Sequence, residues 1–143
     1  MNIKETFLQL TQFTTPYGNE SELESILPNS LSKDEFGNYY IKIGNSETLF
    51  TCHLDNYCKT KEEVNHVIED NIIKTDESTI LGADNKAGVT AILYMISQNV
   101  PGYYYFFLGE EPILSGGCWG STQLVDNKPD FLKKFKRAIA FDR

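Results

Sequence analysis

The chain has 143 residues, 41% of them hydrophobic and 13% aromatic, with a formal net charge of −7 and an isoelectric point near 4.8. This composition predicts one folded domain, residues 1–143, and an acidic chain without a basic patch is a poor candidate for binding nucleic acid. Three cysteines without CxxC spacing argue against a disulfide framework or a thiolate zinc site. No stretch resembles a signal peptide or a membrane span, so we expect a soluble, cytoplasmic protein without a membrane partner.

The N-terminal part of the chain predicts two helices followed by two strands. Apolar residues at helical spacing predict a helix over residues 3–13, which Pro16 and Gly18 end. A second, short helix is predicted from Ser21 toward Pro28. The segments "DEFGNYYIKIG" and "TLFTCHLD" predict a hairpin that leads into a buried strand.

The remaining part predicts another hairpin, a helix and two interior strands. "NHVIEDNIIKTDES" predicts a hairpin with Asp70 and Asn71 in its turn, because both residue types tolerate a positive φ. Residues 85–98 predict a helix with a broad apolar face. "GYYYFFLGEE" and "FKRAIAFD" lack polar alternation, which is typical of strands covered on both faces. The pattern predicts an α/β fold, a three-layer sandwich with a mostly parallel or mixed central sheet.

Side chains of the kind that bind metals follow the predicted core strands or precede the long helix: His53, Asp55, Asp84, Glu110, Glu111 and Asp142. In open α/β sheets, sites form where the carboxyl ends of the strands meet. Several carboxylates in one crevice would repel one another unless a divalent cation lay among them. Mixed nitrogen and oxygen ligands favour zinc, cobalt or manganese over calcium. Any one of these positions is more commonly a solvated charge, but their recurrence at three strand ends favours a site.

Spacing along the chain suggests which of these side chains bind metal and which orient a ligand or act as general base. Asp55 lies two residues after His53 and suits an orienting partner of the imidazole better than a metal ligand. Glu110 and Glu111 are adjacent, so we expect their side chains to diverge. One would then bind metal, and the other would face a bound water as general base.

Several of these segments together resemble a known family. "HLD", "GADNKAGVTAIL", "GEE" followed by "GGCWGS", and "AFDR" stand in the order and approximate spacing of the co-catalytic dizinc metallopeptidases, the aminopeptidase and tripeptidase-like group. "TPYGNE" and "DEFGNYYIKIG" are similar to the N-terminal segment of that family, so the resemblance covers nearly the whole chain. It implies a zinc-exopeptidase-like fold.

The resemblance implies two Zn²⁺ sites, with Co²⁺ or Mn²⁺ as alternatives. His53, Asp84 and Asp142 would bind one ion, and Asp84 would bridge to a second ion that Glu111 also holds. The resemblance also implies a cis peptide bond between Asp84 and Asn85.

The implied activity is metal-dependent cleavage of an amide bond through a metal-bridged water. Glu110 would act as general base, and Asp55 would orient the ring of His53. A peptidase acting on peptide N-termini is the first expectation. A deacylase of small N-acyl substrates is the rival within enzymes.

One ligand of the family pattern is missing from this chain. Members carry a further histidine much later in the sequence, whereas this chain has only His53 and His66. We interpret His66 as an exposed strand residue, and we expect the second zinc site to be weak. The chain ends at Arg143, so we expect a metallopeptidase-like domain truncated at its C-terminus. The alternative is a catalytically inactive fragment or half-enzyme that acts as a metal-binding or interaction module. Its expected protein partners are a second copy of the chain or a complementing C-terminal half.

Overall fold

A computed structural model describes residues 1–111 and 116–142. In chain order these residues form α1 (Ile3–Leu10), a 3-10 helix (Glu20–Ser25), β1 (Ser32–Lys33), β2 (Tyr39–Ile43), β3 (Thr48–His53), β4 (His66–Glu69), β5 (Ile72–Thr75), α2 (Ala83–Ser97), β6 (Gly102–Phe107), α3 (Trp119–Asn127), α4 (Pro129–Leu132) and β7 (Arg137–Ala140). The last residue of the "AFDR" segment, Arg143, lies outside the described residues.

The central sheet has five strands in the order β1-β2-β6-β3-β7. Strand β3 is parallel to both β6 and β7, whereas β2 is antiparallel to β1 and β6, so the sheet is mixed. The predicted hairpin between the second and third strands is wrong, because β6 lies between them. A strand that is apolar on both faces loses most contact with water at the centre of a sheet, and β6 takes that place.

Helices cover both faces of this sheet. Alternation along β6 directs Tyr104 and Phe106 to the face on which α1 and α2 pack. Tyr105 points to the other face, where it meets Leu124 of α3 and Phe131 of α4. The predicted three-layer α/β sandwich is confirmed.

Two predicted helices differ from the structure in extent. Helix α1 ends at Leu10 rather than at residue 13, because Phe13 forms an isolated β-bridge with Glu63. The second predicted helix is a 3-10 helix that ends at Ser25. Helix α2 spans Ala83–Ser97, but ψ is 106° at Asp84 and 28° at Asn85, so its regular part begins after Asn85, close to the predicted start. The peptide bond between Asp84 and Asn85 is cis, as expected.

The sequence reasoning missed the helices α3 and α4. Helix α3 buries only Gly120 and Leu124, and α4 buries no residue, so little apolar periodicity was there to detect.

Of the remaining strand predictions, the hairpin of β4 and β5 is correct and the interior position of β7 is wrong. Strands β4 and β5 form the predicted hairpin, with φ of 48° at Asp70 and 68° at Asn71. Among the described residues, β7 lies at an edge of the sheet rather than in its interior, and all four of its residues are exposed. Within the described ranges, no helix is long and apolar enough to cross a bilayer.

Candidate metal centre at the carboxyl edge of the sheet

His53 is the last residue of β3, and only 3% of its surface is exposed. Its Nδ1 lies 3.0 Å from the backbone carbonyl oxygen of Asp55, which can only accept a hydrogen bond, so this nitrogen carries a proton. The other ring nitrogen, Nε2, lies 3.2 Å from Oδ1 of Asp84. It is also 3.9 Å from a carboxylate oxygen of Glu110 and 3.9 Å from one of Asp142. Nε2 therefore faces the oxygens of three carboxylates.

The surroundings of His53 favour a positive charge at this point. Burial by itself lowers the pKa of His53, but the hydrogen-bonded carboxylate of Asp55 and the charges of Glu110 and Asp84 outweigh it, and the pKa is raised. A proton on Nε2 or a divalent cation next to it would each neutralise part of the carboxylate charge. The crevice thus has the electrostatics of a cation site.

Two groups of potential ligand atoms meet here, each with its atoms within 4.8 Å of one another. The first consists of His53, Asp84 and Asp142, which come from the end of β3, the start of α2 and the segment after β7. The second consists of His53, Glu110 and Glu111. One imidazole nitrogen with carboxylate oxygens is a donor set that zinc, cobalt and manganese accept. The residues present therefore fit a divalent metal ion.

The carboxylate of Asp55 is fully buried beneath these groups. Its two oxygens accept hydrogen bonds from the backbone amides of Glu110 and Glu111, each at 2.9 Å, and Oδ1 lies 3.4 Å from Nδ1 of His53. Burial raises the pKa of Asp55, but the hydrogen bonds from His53 and the two amides outweigh it, so the pKa is lowered. The contact with the two amides, which spacing along the chain could not reveal, joins the end of β3 to the segment after β6.

Glu110 and Glu111 do not diverge as adjacent strand residues would. An oxygen of each belongs to the same group as His53, and both side chains line one crevice. The alternation rule fails because β6 ends at Phe107 and the chain turns at Gly109, where φ is 61°. Burial raises the pKa of Glu111, and the charge of Asp84 adds to this effect while His53 opposes it.

Asn56 fixes the loops around the site and was not singled out from the sequence. It is 1% exposed, and its Oδ1 accepts a hydrogen bond of 3.0 Å from the backbone amide of Thr15. Its Nδ2 donates to the carbonyl oxygens of Gly82, at 3.2 Å, and Asp84, at 2.7 Å. Asn56 therefore holds the segment that carries Asp84 against the end of β3.

Two further buried polar residues at the start of α2 were also missed. The ammonium group of Lys86 is inaccessible to solvent and donates to the backbone oxygen of Leu54, between the positions of His53 and Asp55. The amide of Asn85 donates to the backbone oxygen of Phe141 at 2.6 Å. The sequence feature that could have indicated these buried residues is the polar run "DNK" at the start of an otherwise apolar helix.

A crevice of about 750 Å³ opens beside the ligand atoms. Its charged lining consists of the carboxylates of Asp84, Glu110, Glu111 and Asp142. Its apolar lining includes Tyr57, Ile80, Leu81 and Ala83. This volume is in the range of ~300–1,000 Å³ that small-molecule sites in proteins usually have.

His66 belongs to neither group of ligand atoms among the described residues. It is half-buried on β4 rather than exposed, and its Nε2 lies 2.8 Å from Oγ1 of Thr11. This hydrogen bond to α1's C-terminal neighbour Thr11 gives His66 a structural role.

Solved structures of peptidases share this fold. A tripeptidase from Staphylococcus aureus matches 99% of this chain with a TM-score of 0.69 and 27% identity. The aminopeptidase PepT from Bacillus cereus matches 99% with a TM-score of 0.70 and 24% identity, and this chain spans 43% of each of these two proteins. The TET1 peptidase of Pyrococcus horikoshii matches 99% of this chain with a TM-score of 0.58 and 15% identity, and the match covers 68% of the TET1 chain. No protein-family model and no curated protein sequence matches the chain.

Proposed function

We propose that this chain, which is similar to a tripeptidase and to the aminopeptidase PepT, belongs to the superfamily of co-catalytic dizinc metallopeptidases. We propose further that it forms part of a metal-dependent hydrolase that cleaves the amide bond at the N-terminus of a peptide. The observation that carries this proposal is the convergence of His53, Asp84 and Asp142, from three separate elements, to within 4.8 Å. The proposal treats residues 1–143 as a single, incomplete catalytic domain of a cytoplasmic enzyme.

His53, Asp84 and Asp142 would hold one Zn²⁺, and Asp84 with Glu111 would hold a second; Co²⁺ or Mn²⁺ are the alternatives. Ions bound there would polarise the substrate carbonyl as Lewis acids. Because one set has three protein ligands and the other has two, we expect unequal affinities. Calorimetric titration with zinc would show one tight and one weak site, and two equally tight sites would contradict this assignment.

Glu110 is proposed as the general base that accepts a proton from the attacking water. Its Oε2 lies 3.9 Å from Nε2 of His53, and its Oε1 accepts a hydrogen bond of 3.4 Å from the thiol of Cys118. The hydrogen bond from its backbone amide to Asp55 holds its main chain in place. A carboxylate at this position can take a proton from the attacking water and deliver it to the leaving amine.

The test is hydrolysis of a panel of aminoacyl and N-acyl amides in the presence of zinc, cobalt or manganese. Replacing Glu110 by Gln should lower the rate by about 10²–10⁴-fold, the usual contribution of a general base, without abolishing zinc binding. Glu69→Gln, at an exposed position on β4, is the matched control and should have no effect. Equal rates for Glu110→Gln and the native chain would refute the assignment. Activity confined to the N-acyl amides would favour the deacylase.

A second candidate is a metal-binding half-enzyme that is inactive alone and works with a complementing C-terminal half. It is favoured by the count of histidines, since the chain has two and His66 is occupied with Thr11. Zinc binding without hydrolysis of any panel substrate would support it.

Self-association of the chain is a further proposal, prompted by the TET1 peptidase, which can assemble into a tetrahedron or a large octahedral shell. We propose no membrane or nucleic-acid partner.

A further inference from the structure

Two large apolar side chains in the crevice expose much of their surface. Tyr57 is 64% exposed and Ile80 is 44% exposed, and both line the crevice that contains the four carboxylates. Leu81 and Ala83 continue the same lining. Uncovered apolar surface in a concave site beside converging polar groups is typical of a pocket for part of a ligand. We call Tyr57, Ile80 and Leu81 the apolar wall.

Buried hydrogen bonds hold the backbone next to the apolar wall. Tyr57 follows Asn56, which donates to the backbone of Gly82 at 3.2 Å and so joins the two loops that carry the wall. A Cβ at Gly82 would lie 2.9 Å from Oδ1 of Asn56, so glycine allows this close approach of the loops. A wall held in this way loses little conformational entropy when a ligand covers it.

The charge of the crevice limits which side chain can lie against this wall. Within the described residues, every charged side chain in the lining is a carboxylate, and none is a lysine or arginine. An acidic substrate side chain would be repelled by these carboxylates and would find no lysine or arginine among the described residues of the lining. A small side chain would leave Tyr57 and Ile80 in contact with water.

We propose that Tyr57 and Ile80 determine specificity by receiving a large apolar side chain, of the leucine or phenylalanine class, from the substrate residue whose carbonyl is attacked. This inference rests on the proposed function, because it assigns the substrate class of the same site. The wall would cover the substrate side chain, while the carboxylates would hold the ions that polarise the substrate carbonyl.

The experiment is an NMR titration of the zinc-loaded full chain with L-phenylalaninamide, L-leucinamide, L-alaninamide and L-aspartic acid 1-amide. The native chain should bind the phenylalanine and leucine amides about tenfold more tightly than the alanine amide, as removal of apolar contacts usually costs, and the aspartate amide least tightly. Tyr57→Ala and Ile80→Ala should each reduce that preference severalfold. Tyr94→Ala, at an exposed tyrosine on α2 outside the crevice, should keep it.

Equal binding of the phenylalanine, leucine and alanine amides, or equal effects of Tyr57→Ala and Tyr94→Ala, would overturn the inference. Glu110→Gln separates the inference from the function on which it rests. If this variant keeps both the preference and full hydrolysis, the proposed function fails and the assignment of the wall stands. If hydrolysis depends on Glu110 but no side-chain preference exists, only the inference fails.

Discussion

Asp55 illustrates how one buried side chain can organise a site without facing the crevice. Its two oxygens accept hydrogen bonds from consecutive backbone amides, at 2.9 Å each, and Oδ1 also lies 3.4 Å from the ring of His53. A carboxylate can accept several hydrogen bonds at once, and its charge supports a positive His53 or an adjacent cation. The position of Glu110 and the orientation of His53 thus depend on the same buried group.

Replacing Asp55 by Asn should weaken metal binding. The two backbone amides bond different oxygens of Asp55, and in asparagine one of these becomes an NH2 group, which would face an N–H donor. The substitution also removes the negative charge beside His53. We expect zinc affinity to fall by about 10–100-fold, the usual effect of losing a residue that orients a metal ligand. Calorimetric titration measures the change, and Asp130→Asn, at a surface position, should leave the affinity unaltered. Native zinc affinity in Asp55→Asn would show that Asp55 does not support the ligands.

Lys86 makes the stability of the chain depend on pH. Burial lowers the pKa of Lys86 to about 8, although the carboxylates of Asp55 and Glu20 oppose the effect. An unfolded lysine has a pKa of about 10.4, so between these values the unfolded chain binds more protons and stability rises with pH. The free energy of unfolding of the native chain, relative to that of Lys86→Met, should therefore increase by about 1–2 kcal/mol from about pH 7.5 to about pH 9.5.

Urea denaturation of the two proteins at both pH values measures this difference. Groups that titrate equally in both chains, such as the tyrosines, cancel in the comparison. A difference that is constant or falls over this range would mean that Lys86 is not desolvated in the folded state.

At the scale of secondary-structure elements, the close approach of α2 to the end of β7 brings Asp84 and Asp142 together. Asn85 donates to the backbone oxygen of Phe141 at 2.6 Å. Gly88, one turn further along the helix, leaves room for this contact, since an added Cβ would overlap Oδ1 of Asn85 and lie 2.9 Å from the oxygen of Phe141. The helix accepts a glycine in its interior because the close approach of Phe141, which follows β7, requires it.

Gly88→Ala should therefore destabilise the chain although alanine is the better helix former. We expect a loss of about 1–3 kcal/mol from the overlap, against about 1 kcal/mol gained from helix propensity. Zinc affinity should fall as well, because Asp142 follows the displaced Phe141. Ala87→Gly, exposed on the same helix, is the control and should cost about 1 kcal/mol without altering zinc affinity. Thermal unfolding and zinc titration of both variants decide the matter, and a more stable Gly88→Ala would contradict the packing argument.

At the scale of the whole molecule, β7 forms an open edge of the sheet that the described residues build. Strand β6 lies between β2 and β3, whereas β7 pairs with β3 alone among the described strands. All four residues of β7 are exposed, and Ile139 exposes 41% of its surface. An exposed edge strand with apolar side chains is a template for pairing with another chain.

We expect concentration-dependent self-association through β7. Ile139→Lys should shift the equilibrium toward the monomer, because a lysine on an edge strand opposes pairing. Ile72→Lys, at a 64% exposed isoleucine of β5 in the separate hairpin, should leave association unchanged. Sedimentation velocity over a range of concentrations distinguishes these outcomes, and equal effects of the two substitutions would exclude β7 as the interface.

The sequence alone determined the α/β class, the turn at Asp70 and Asn71, and the side chains that the structure gathers around one crevice. These features follow from local patterns, since apolar runs, turn residues and charged strand ends are encoded by neighbours in the chain. Only the tertiary structure decided that β6 lies between β2 and β3, that β7 is an edge, and that Glu110 and Glu111 converge on His53. It also revealed Lys86 as a buried support. Strand order and buried hydrogen bonds depend on which distant segments exclude water from one another, and no local pattern carries that information.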